Sequence, residues 1–509
     1  MIRNILEHLE NTASRLPEKV AFYDDREKLT YAQLLHVSKA VGTAVAALAP
    51  IRMPVAMLMD ARSIINIPSI LGIIYAGCAY APLDITMPRE RLQQLLDLML
   101  PAAILADEKG LEALDGLTYS APVLSYADAC VTPVDEEALK TIRMNTTAMD
   151  PMSILYTSGS TGIPKGSIQP MISYIMWNKA SIDRYGFTED AVIANQSPFF
   201  YSNSILDVFP PITGGSTVYM LPAGALTFPK KFIGYLKDHH ITSIDMTPSS
   251  YVKIANADVL TPGCLPEMKW GLMAGESMPW VQLKQWMDAT PAATWCHFYG
   301  STEMFAVSVG DVSKDHKPGD RLSSGQPYPL THILFLDENG QECPPGVPGE
   351  MYVSNPWLST GYYRDPVRTA ESWVVDPLNR GWLETFYRSG DLGYLTPEGE
   401  LMVMGRRDNQ LKHFGYRMEL ADVDRGLQSI QEVKESCVLH EKESGKIFCF
   451  YTGDLDEKGL NKALKAVLQP YMLPDVYIRL EEMPHTASMK IDRATLTKRM
   501  MEEAKPSAN

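Results

Sequence analysis

Cysteine is sparse in this chain: seven residues in 509, scattered and without a Cys-x-x-Cys pair. That argues against a disulfide framework or a structural zinc site and points to a reducing compartment. Basic charge is in deficit. The 46 Lys and Arg against 61 Asp and Glu leave a net charge of −15, the wrong sign for a surface that neutralises nucleic-acid phosphates. A local pocket for a small anion remains compatible with it. The N-terminus MIRNILEHLENTASRLPEKV lacks the apolar core and small-residue cleavage site of a secretory signal. A long unbroken apolar run is also missing. The most apolar stretch, Ser63 to Ile85, is interrupted by Asn66, Pro68 and Gly72, which suits a buried helix running into a buried strand better than a membrane span. No period of 20–50 residues repeats and no low-complexity tract occurs, which excludes solenoids and propellers. A cytoplasmic protein without nucleic-acid or membrane partners is expected.

What is present is an α/β pattern. LTYAQLLHVSKAVGTAVAAL reads as a turn followed by a helix, PVAMLM and GGSTVYML as strands, and KKFIGYLKDHHITSIDMTPSSYVKI as helix, strand, helix. Such alternation predicts layered α/β sheets, largely parallel. A boundary is expected near GELMVMGRRDNQLKHFGYRMEL, where a turn and a strand give way to a polar break. It divides the chain into a large unit over 1–407 and a small α/β unit over 408–509.

One stretch stands out. YTSGSTGIPKGS (Tyr156 to Ser167) concentrates glycine, hydroxyls and one lysine directly after the strand-like SILY. A flexible linker is the ordinary reading of such composition. The short length, the preceding strand and the Pro164-Lys165 ending favour a loop whose N–H groups, hydroxyls and ammonium grip a polyphosphate. It is not a Walker loop: Pro164 stands where glycine is required, Gly166 where a magnesium-binding Ser or Thr belongs, and SIQPMISYIM is a poor helix start.

The stretch resembles the phosphate-binding loop of the adenylate-forming superfamily, which includes acyl-CoA synthetases, luciferases and the adenylation domains of nonribosomal peptide synthetases. The resemblance recurs in order along nearly the whole chain. LTYAQL (Leu29 to Leu34) and YAGCAYAPLD (Tyr75 to Asp84) are similar to two early adenylation-domain motifs, and FYGSTE (Phe298 to Glu303) to the family's YGPTE. GEMYVSNPWLSTGYYRDPVRTAESW, YRSGDLGYL, GRRDNQLKHFGYRMEL and MPHTASMKIDR match the segments that follow. The wording is closest to amino-acid-activating members, among them stand-alone D-alanine–carrier-protein ligases.

This resemblance implies the family fold, a large N-terminal unit with a small mobile lid, and a reaction in two halves. ATP and a carboxylate give an acyl-adenylate and pyrophosphate; a thiol then displaces AMP. Positioning and charge neutralisation carry such catalysis. By the same resemblance Thr157, Ser158, Ser160, Thr161 and Lys165 hold the β and γ phosphates. Gly275, Glu276 and Gly300 belong to the nucleotide site, Tyr299 stacks on adenine, and Thr302 meets the α phosphate. Glu303 binds Mg2+, a hard cation suited to carboxylate and phosphate oxygens. Asp391 takes both ribose hydroxyls and Arg406 helps hold ribose and phosphate. Lys490 reaches the reacting carboxylate, although Met489 precedes it where the family usually has glycine. Asp408 is the hinge about which the lid turns to bring Lys412 to Arg417 to the thiol tunnel. Read locally, Tyr299 is a core aromatic, Asp391 a turn aspartate, Arg406 a surface arginine and Lys490 a surface lysine.

The acid pocket departs from the family. Aligning Asp207-Val208-Phe209 on the acidic-aliphatic-aromatic trio places Ser202 where amino-acid-activating members carry the aspartate that pairs with the α-ammonium. A serine cannot balance that charge. Asp245 falls at a pocket position that is usually neutral. It either pairs with a substrate ammonium placed differently, as in a β-amino or side-chain-amino acid, or it caps the next helix or bonds Thr247. The remaining wall by resemblance is Asn203, Leu206, Leu272, Ala274, Phe298, Ala306 and Val307, which suits a small or medium acid with an apolar part. The thiol is expected in trans, since too few residues follow Lys490 for a carrier domain. A carrier protein is the expected acceptor, with free coenzyme A as the alternative. A non-catalytic nucleotide-binding relative would have been free to lose Lys165, Glu303, Asp391 or Lys490, all present here.

Overall fold

A computed structural model describes residues 2–87, 89–157, 164–275, 278–316, 322–406, 410–413, 416–441, 446–468 and 472–503, with the backbone alone at 406, 410–413, 416–419, 421 and 422. Two large sheets carry most of the chain. In the six-stranded sheet, Pro54–Leu58, Ala79–Leu83, Ala103–Ala106, Val123–Ser125 and Pro151–Thr157 pair in parallel, and Lys165–Pro170 closes one edge as an antiparallel hairpin. In the nine-stranded sheet, Thr294–Ser301, Trp270–Ala274, Ser243–Met246, Val192–Asn195, Thr217–Met220 and Val20–Tyr23 run parallel, with antiparallel strands added at both edges.

The local reasons are plain. Strands of the six-stranded sheet are covered on both faces, so Pro54–Leu58, Ala79–Leu83 and Ala103–Ala106 are buried throughout. The apolar stretch after Ser63 becomes the helix Asn66–Tyr75, every residue of which is buried, feeding the strand Ala79–Leu83 as its composition implied. LTYAQL proves to be a strand-to-helix junction. Thr30 caps the helix Tyr31–Ala46 by accepting from the Gln33 N–H while the Gln33 side chain accepts from the Thr30 N–H, a capping box. The Tyr31 hydroxyl donates to Pro211 O and Ser216 O inside the core. This motif therefore ties the edge strand Lys28–Thr30 and its helix to the segment that leads into Thr217–Met220 of the same nine-stranded sheet.

The later chain was expected to continue the largely parallel pattern, and it does not. His332–Leu336, Gly349–Ser354, Thr385–Leu395, Trp373–Val375 and Leu401–Arg406 form a fully antiparallel sheet, because short turns rather than crossover helices join most of them. The C-terminal part holds a three-stranded sheet, Val433–His440, Ile447–Gly453 and Val476–Arg479. The helices Leu420–Gln428, Glu457–Leu464 and Arg493–Glu503 pack on it. Among the described residues no helix is long and apolar enough to cross a membrane, and all seven cysteines are free thiols.

Candidate active site

A cavity of about 950 Å³ opens where the two large sheets, the antiparallel sheet and the C-terminal part meet. Elements far apart in the chain supply its wall, each by a simple local device.

The strands on either side of the hydroxyl-rich stretch pair as an antiparallel hairpin. Thr157 and Lys165 face one another as register partners at the ends of the strands Pro151–Thr157 and Lys165–Pro170, and both line the cavity. A strand follows the loop and the next helix starts at Met171, which separates it from the loop-to-helix geometry of a Walker site. Gly166 is needed for packing: a Cβ there would meet Ile154 Cγ2 at 2.8 Å and the Tyr156 ring at 3.0 Å. Thr157 Oγ1 is buried and without a partner, an orphan hydroxyl on a residue that lines the cavity. Ser158, Ser160 and Thr161 lie outside the described residues, as do Glu276 and Asp408, and Arg406 is described by its backbone.

FYGSTE forms the bend between the strands Thr294–Ser301 and Phe305–Asp311. Gly300 permits it, since a Cβ there would lie 1.7 Å from Phe305 O. The bend sets Gly300, Thr302 and Glu303 on the cavity wall. Lys165 Nζ sits 2.8 Å from Glu303 Oε1 and 2.6 Å from the Tyr362 hydroxyl, which donates to the same carboxylate oxygen at 2.8 Å. Burial opposes ionisation of Glu303, but the charge and hydrogen bond of Lys165, with that of Tyr362, outweigh it and hold the carboxyl below its ordinary range. Thr302 Oγ1 lies 3.1 Å from Ser202 Oγ, so the proposed α-phosphate and acid ends of the site meet at this hydroxyl pair. Among the described residues no group of three or more His, Cys, Asp or Glu could hold a metal ion. Glu303 beside a polyphosphate is a donor set that suits magnesium, which keeps most of its waters and takes one or two carboxylates with phosphate oxygens.

Asp391 is not a turn residue. It lies within the strand Thr385–Leu395, and the turn after that strand makes Arg406 its register partner on Leu401–Arg406. A fifteen-residue separation thus becomes adjacency. The Tyr299 hydroxyl donates to Asp391 Oδ2, and Tyr299 packs on the cluster of Met304, Val307 and Tyr387. Lys490 is not a surface lysine in solvent: it lines the cavity, its Nζ 3.2 Å from where a Cβ on Gly275 would sit.

Among the acid-pocket residues, Ser202, Asn203, Leu206, Asp245, Ala274, Phe298 and Ala306 line the cavity. Leu272 and Val307 do not. Leu272 is two positions from Ala274 on the same strand but deeper in the sheet, inside the main core. Val307 follows Ala306 and so points to the opposite face of its strand. Asp245 occupies the strand Ser243–Met246, and the alternative reading of it as a helix cap is overturned. Thr247 is the N-cap of Pro248–Ala255 and accepts no side-chain cap bond there. Both Asp245 carboxylate oxygens are buried without partners, the residue is 1% exposed, and burial pushes its carboxyl up to about 8. Asp207 is buried nearby, accepts from Asn195 Nδ2 at 3.0 Å, and is raised by burial and by the charge of Asp245.

Several residues at the site were not singled out from sequence. Tyr362, buried behind the wall where it bridges Lys165 and Glu303, lies in the quoted GYY segment, where the repeated tyrosine was the available signal. Trp177, Gln196, Tyr201 and Phe305 line the cavity, and nothing local marks them. Replacing Tyr362 by Phe removes one hydrogen bond to a buried carboxylate. A loss of about tenfold in nucleotide turnover with a raised KM for ATP is expected, read by steady-state kinetics of the first half-reaction.

Comparison with known proteins shows the family. Residues 9–363 match the family model of the AMP-binding enzymes. The D-alanine–D-alanyl carrier protein ligase of Lacticaseibacillus rhamnosus is 29% identical over 97% of this chain and 99% of its own length. Bacitracin synthase 3 of Bacillus licheniformis is 26% identical over 96% of this chain, which spans 8% of that protein. Among solved structures, holo-AB3403, a four-domain nonribosomal peptide synthetase bound to AMP and glycine, aligns with a TM-score of 0.82 at 26% identity, covering 99% of this chain and 36% of that one. ATP-bound MatB from Rhodopseudomonas palustris shares the fold, with a TM-score of 0.86 at 20% identity over 99% of this chain and 100% of that one. A hairpin-borne lysine held by a buried glutamate, a strand-borne aspartate, and a C-terminal lysine brought into the same cavity are thus found in a chain that belongs to the AMP-binding enzyme family, an adenylate-forming enzyme.

Proposed function

We propose that this enzyme activates an amine-bearing carboxylic acid as its acyl-adenylate and passes the acyl group to the phosphopantetheine thiol of a separate carrier protein. The observation that carries the substrate reading is Asp245: a buried carboxylate with no partner inside the acid end of the cavity, where Ser202 cannot supply charge. A carboxylate so placed is costly until a cation joins it. With the charge supplied by Asp245 rather than from position 202, the matching ammonium sits on a β or more distal carbon, and Leu206, Ala274, Phe298 and Ala306 line the same cavity.

In the first half-reaction a carboxylate oxygen attacks the α phosphorus and pyrophosphate leaves. Thr157, Lys165 and the hairpin loop residues Ser158, Ser160 and Thr161 hold the departing phosphates. Thr302 contacts the α phosphate, while Asp391, Arg406, Tyr299, Gly275, Glu276 and Gly300 place the nucleoside. Glu303 would hold magnesium, which would offset polyphosphate charge. Lys490 neutralises charge that builds between carboxylate and phosphate in the transition state. In the second half the thiolate attacks the acyl carbonyl and AMP leaves. Units 1–407 and 408–509, hinged at Asp408, would separate the two arrangements. A cytoplasmic location fits the free thiols.

The test is ATP–pyrophosphate exchange screened over α-, β- and ω-amino acids, hydroxy acids and plain short acids, with β- or ω-amino acids expected to give the strongest signal. Absence of exchange with every acid overturns the reading. Discharge of the adenylate by free coenzyme A at the rate given by a carrier protein would replace the carrier with coenzyme A as acceptor.

A further inference from the structure

The turn that carries Lys490 holds a backbone conformation its sequence disfavours. His485 and Ile491 form an antiparallel bridge. Within it the Thr486 N–H donates to Lys490 O at 2.7 Å and the Met489 N–H to Thr486 O at 2.9 Å. Closing so short a loop requires a left-handed residue before the return strand, a place that favours glycine. Here that residue is Met489, with φ +65°. A side chain retained at such a position needs a compensating contact.

The contact is across the cavity. Met489 packs against the apolar cluster of the nine-stranded sheet and its helices, which includes Met278, Trp280 and Leu283. On the C-terminal side the same turn is fastened by His485 Nε2, 2.8 Å from Glu435 Oε1 on the strand Val433–His440. On the large-unit side the Tyr201 hydroxyl faces Ser488, and both residues line the cavity. The turn is thus held from both sides of the cavity, and Met489 is its apolar attachment to the large unit.

We infer that Met489 is a positioning residue for adenylate formation: its side chain, docked on the large unit's core, sets the neighbouring Lys490 ammonium over Gly275, and the left-handed backbone is tolerated for that contact. This rests on the reading that Lys490 serves the first half-reaction. Met489 touches no reacting atom. Its effect is on how often the turn is seated when carboxylate and nucleotide are in place, so the rate rather than nucleotide affinity should respond.

The test compares the full-length wild type with Met489→Ala, Met489→Leu and Met489→Gly. Losing a half-buried methionine contact should lower kcat for pyrophosphate exchange about fivefold in the Ala and Gly variants, with the KM for ATP within twofold. Leu should restore most of the rate. Thioester formation from supplied acyl-adenylate should change less than twofold in all three, which a merely structural role would not allow. Hydrogen–deuterium exchange over residues 484–493 supplies a readout independent of turnover: the Ala and Gly variants should lose protection there and Leu should keep it. Equal kcat and equal protection in the Ala variant overturn the inference, as does failure of Leu to rescue. If the wild type shows no pyrophosphate exchange with any acid, the adenylation reading fails and the Lys490 role with it; the amide-exchange comparison then decides whether Met489 still seats the turn.

Discussion

Lys490→Ala is expected to abolish ATP–pyrophosphate exchange while leaving transfer of a supplied acyl-adenylate to the thiol nearly intact. The lysine enters the cavity from the C-terminal part and stands over Gly275, apart from Lys165, which is engaged by Glu303 and Tyr362. The two cations therefore have separate tasks. Removing one preorganised group that meets developing charge costs about a hundred- to a thousandfold in rate, and no neighbouring ammonium is placed to replace it among the described residues of the wall. The measurement is isotope exchange for the first half and single-turnover thioester formation for the second. Equal loss in both halves would contradict the division of labour.

Asp245→Asn should have the next largest effect, and in two opposite directions. For an amine-bearing acid, kcat/KM should fall roughly a hundredfold, the cost of deleting one partner of a buried ion pair; for an acid of the same length without the amine it should change little. Stability should rise. The native carboxyl titrates near pH 8, against about 3.9 in an unfolded chain. Between these values the native state holds a proton that the unfolded state releases, so stability falls as pH rises from about 4 to about 8. Asparagine removes that dependence. A Tm gain of about a few degrees is expected, larger at pH 8 than at pH 5, by calorimetry on the free enzyme. Asp207 shares the effect, since the charge of Asp245 helps to raise it. In the wild type, substrate ammonium requires the ionised carboxylate, so kcat/KM should climb as pH approaches about 8. An unchanged kcat/KM for the amine-bearing acid in the variant would remove Asp245 from recognition.

Much of the architecture could be read along the chain, and particular residues show why. The stretch from Leu29 reads as a turn followed by a helix, and the capping box of Thr30 and Gln33 that starts this helix is a local device. The run from Asn66 to Tyr75 declares its own burial because it carries no charge and few polar groups. The antiparallel sheet was not legible in the same way. Its strands, such as Gly349–Ser354 and Thr385–Leu395, have no long crossover helices between them, and pairing direction depends on partners distant in sequence.

The candidate site divides along the same line. Motif order pointed to Lys165, Glu303, Asp391 and Lys490, and the fold brings all four to the wall of one cavity. Position corrected the rest. By resemblance Val307 belongs to the pocket, yet strand alternation gives that place to Ala306 and turns Val307 away. Tyr362 entered the site because the hairpin strand Lys165–Pro170 runs beside it.

The sequence by itself determined which chemical groups are available and, through periodicity and capping, most of the elements that carry them. Tertiary structure alone decided that Asp245 is a carboxylate without a partner and that Asp391 stands beside Arg406. It also decided that Met489 keeps a strained turn in contact with a distant core. Each of these depends on desolvation or on contacts between segments far apart in the chain, and neither is encoded in any short stretch of residues.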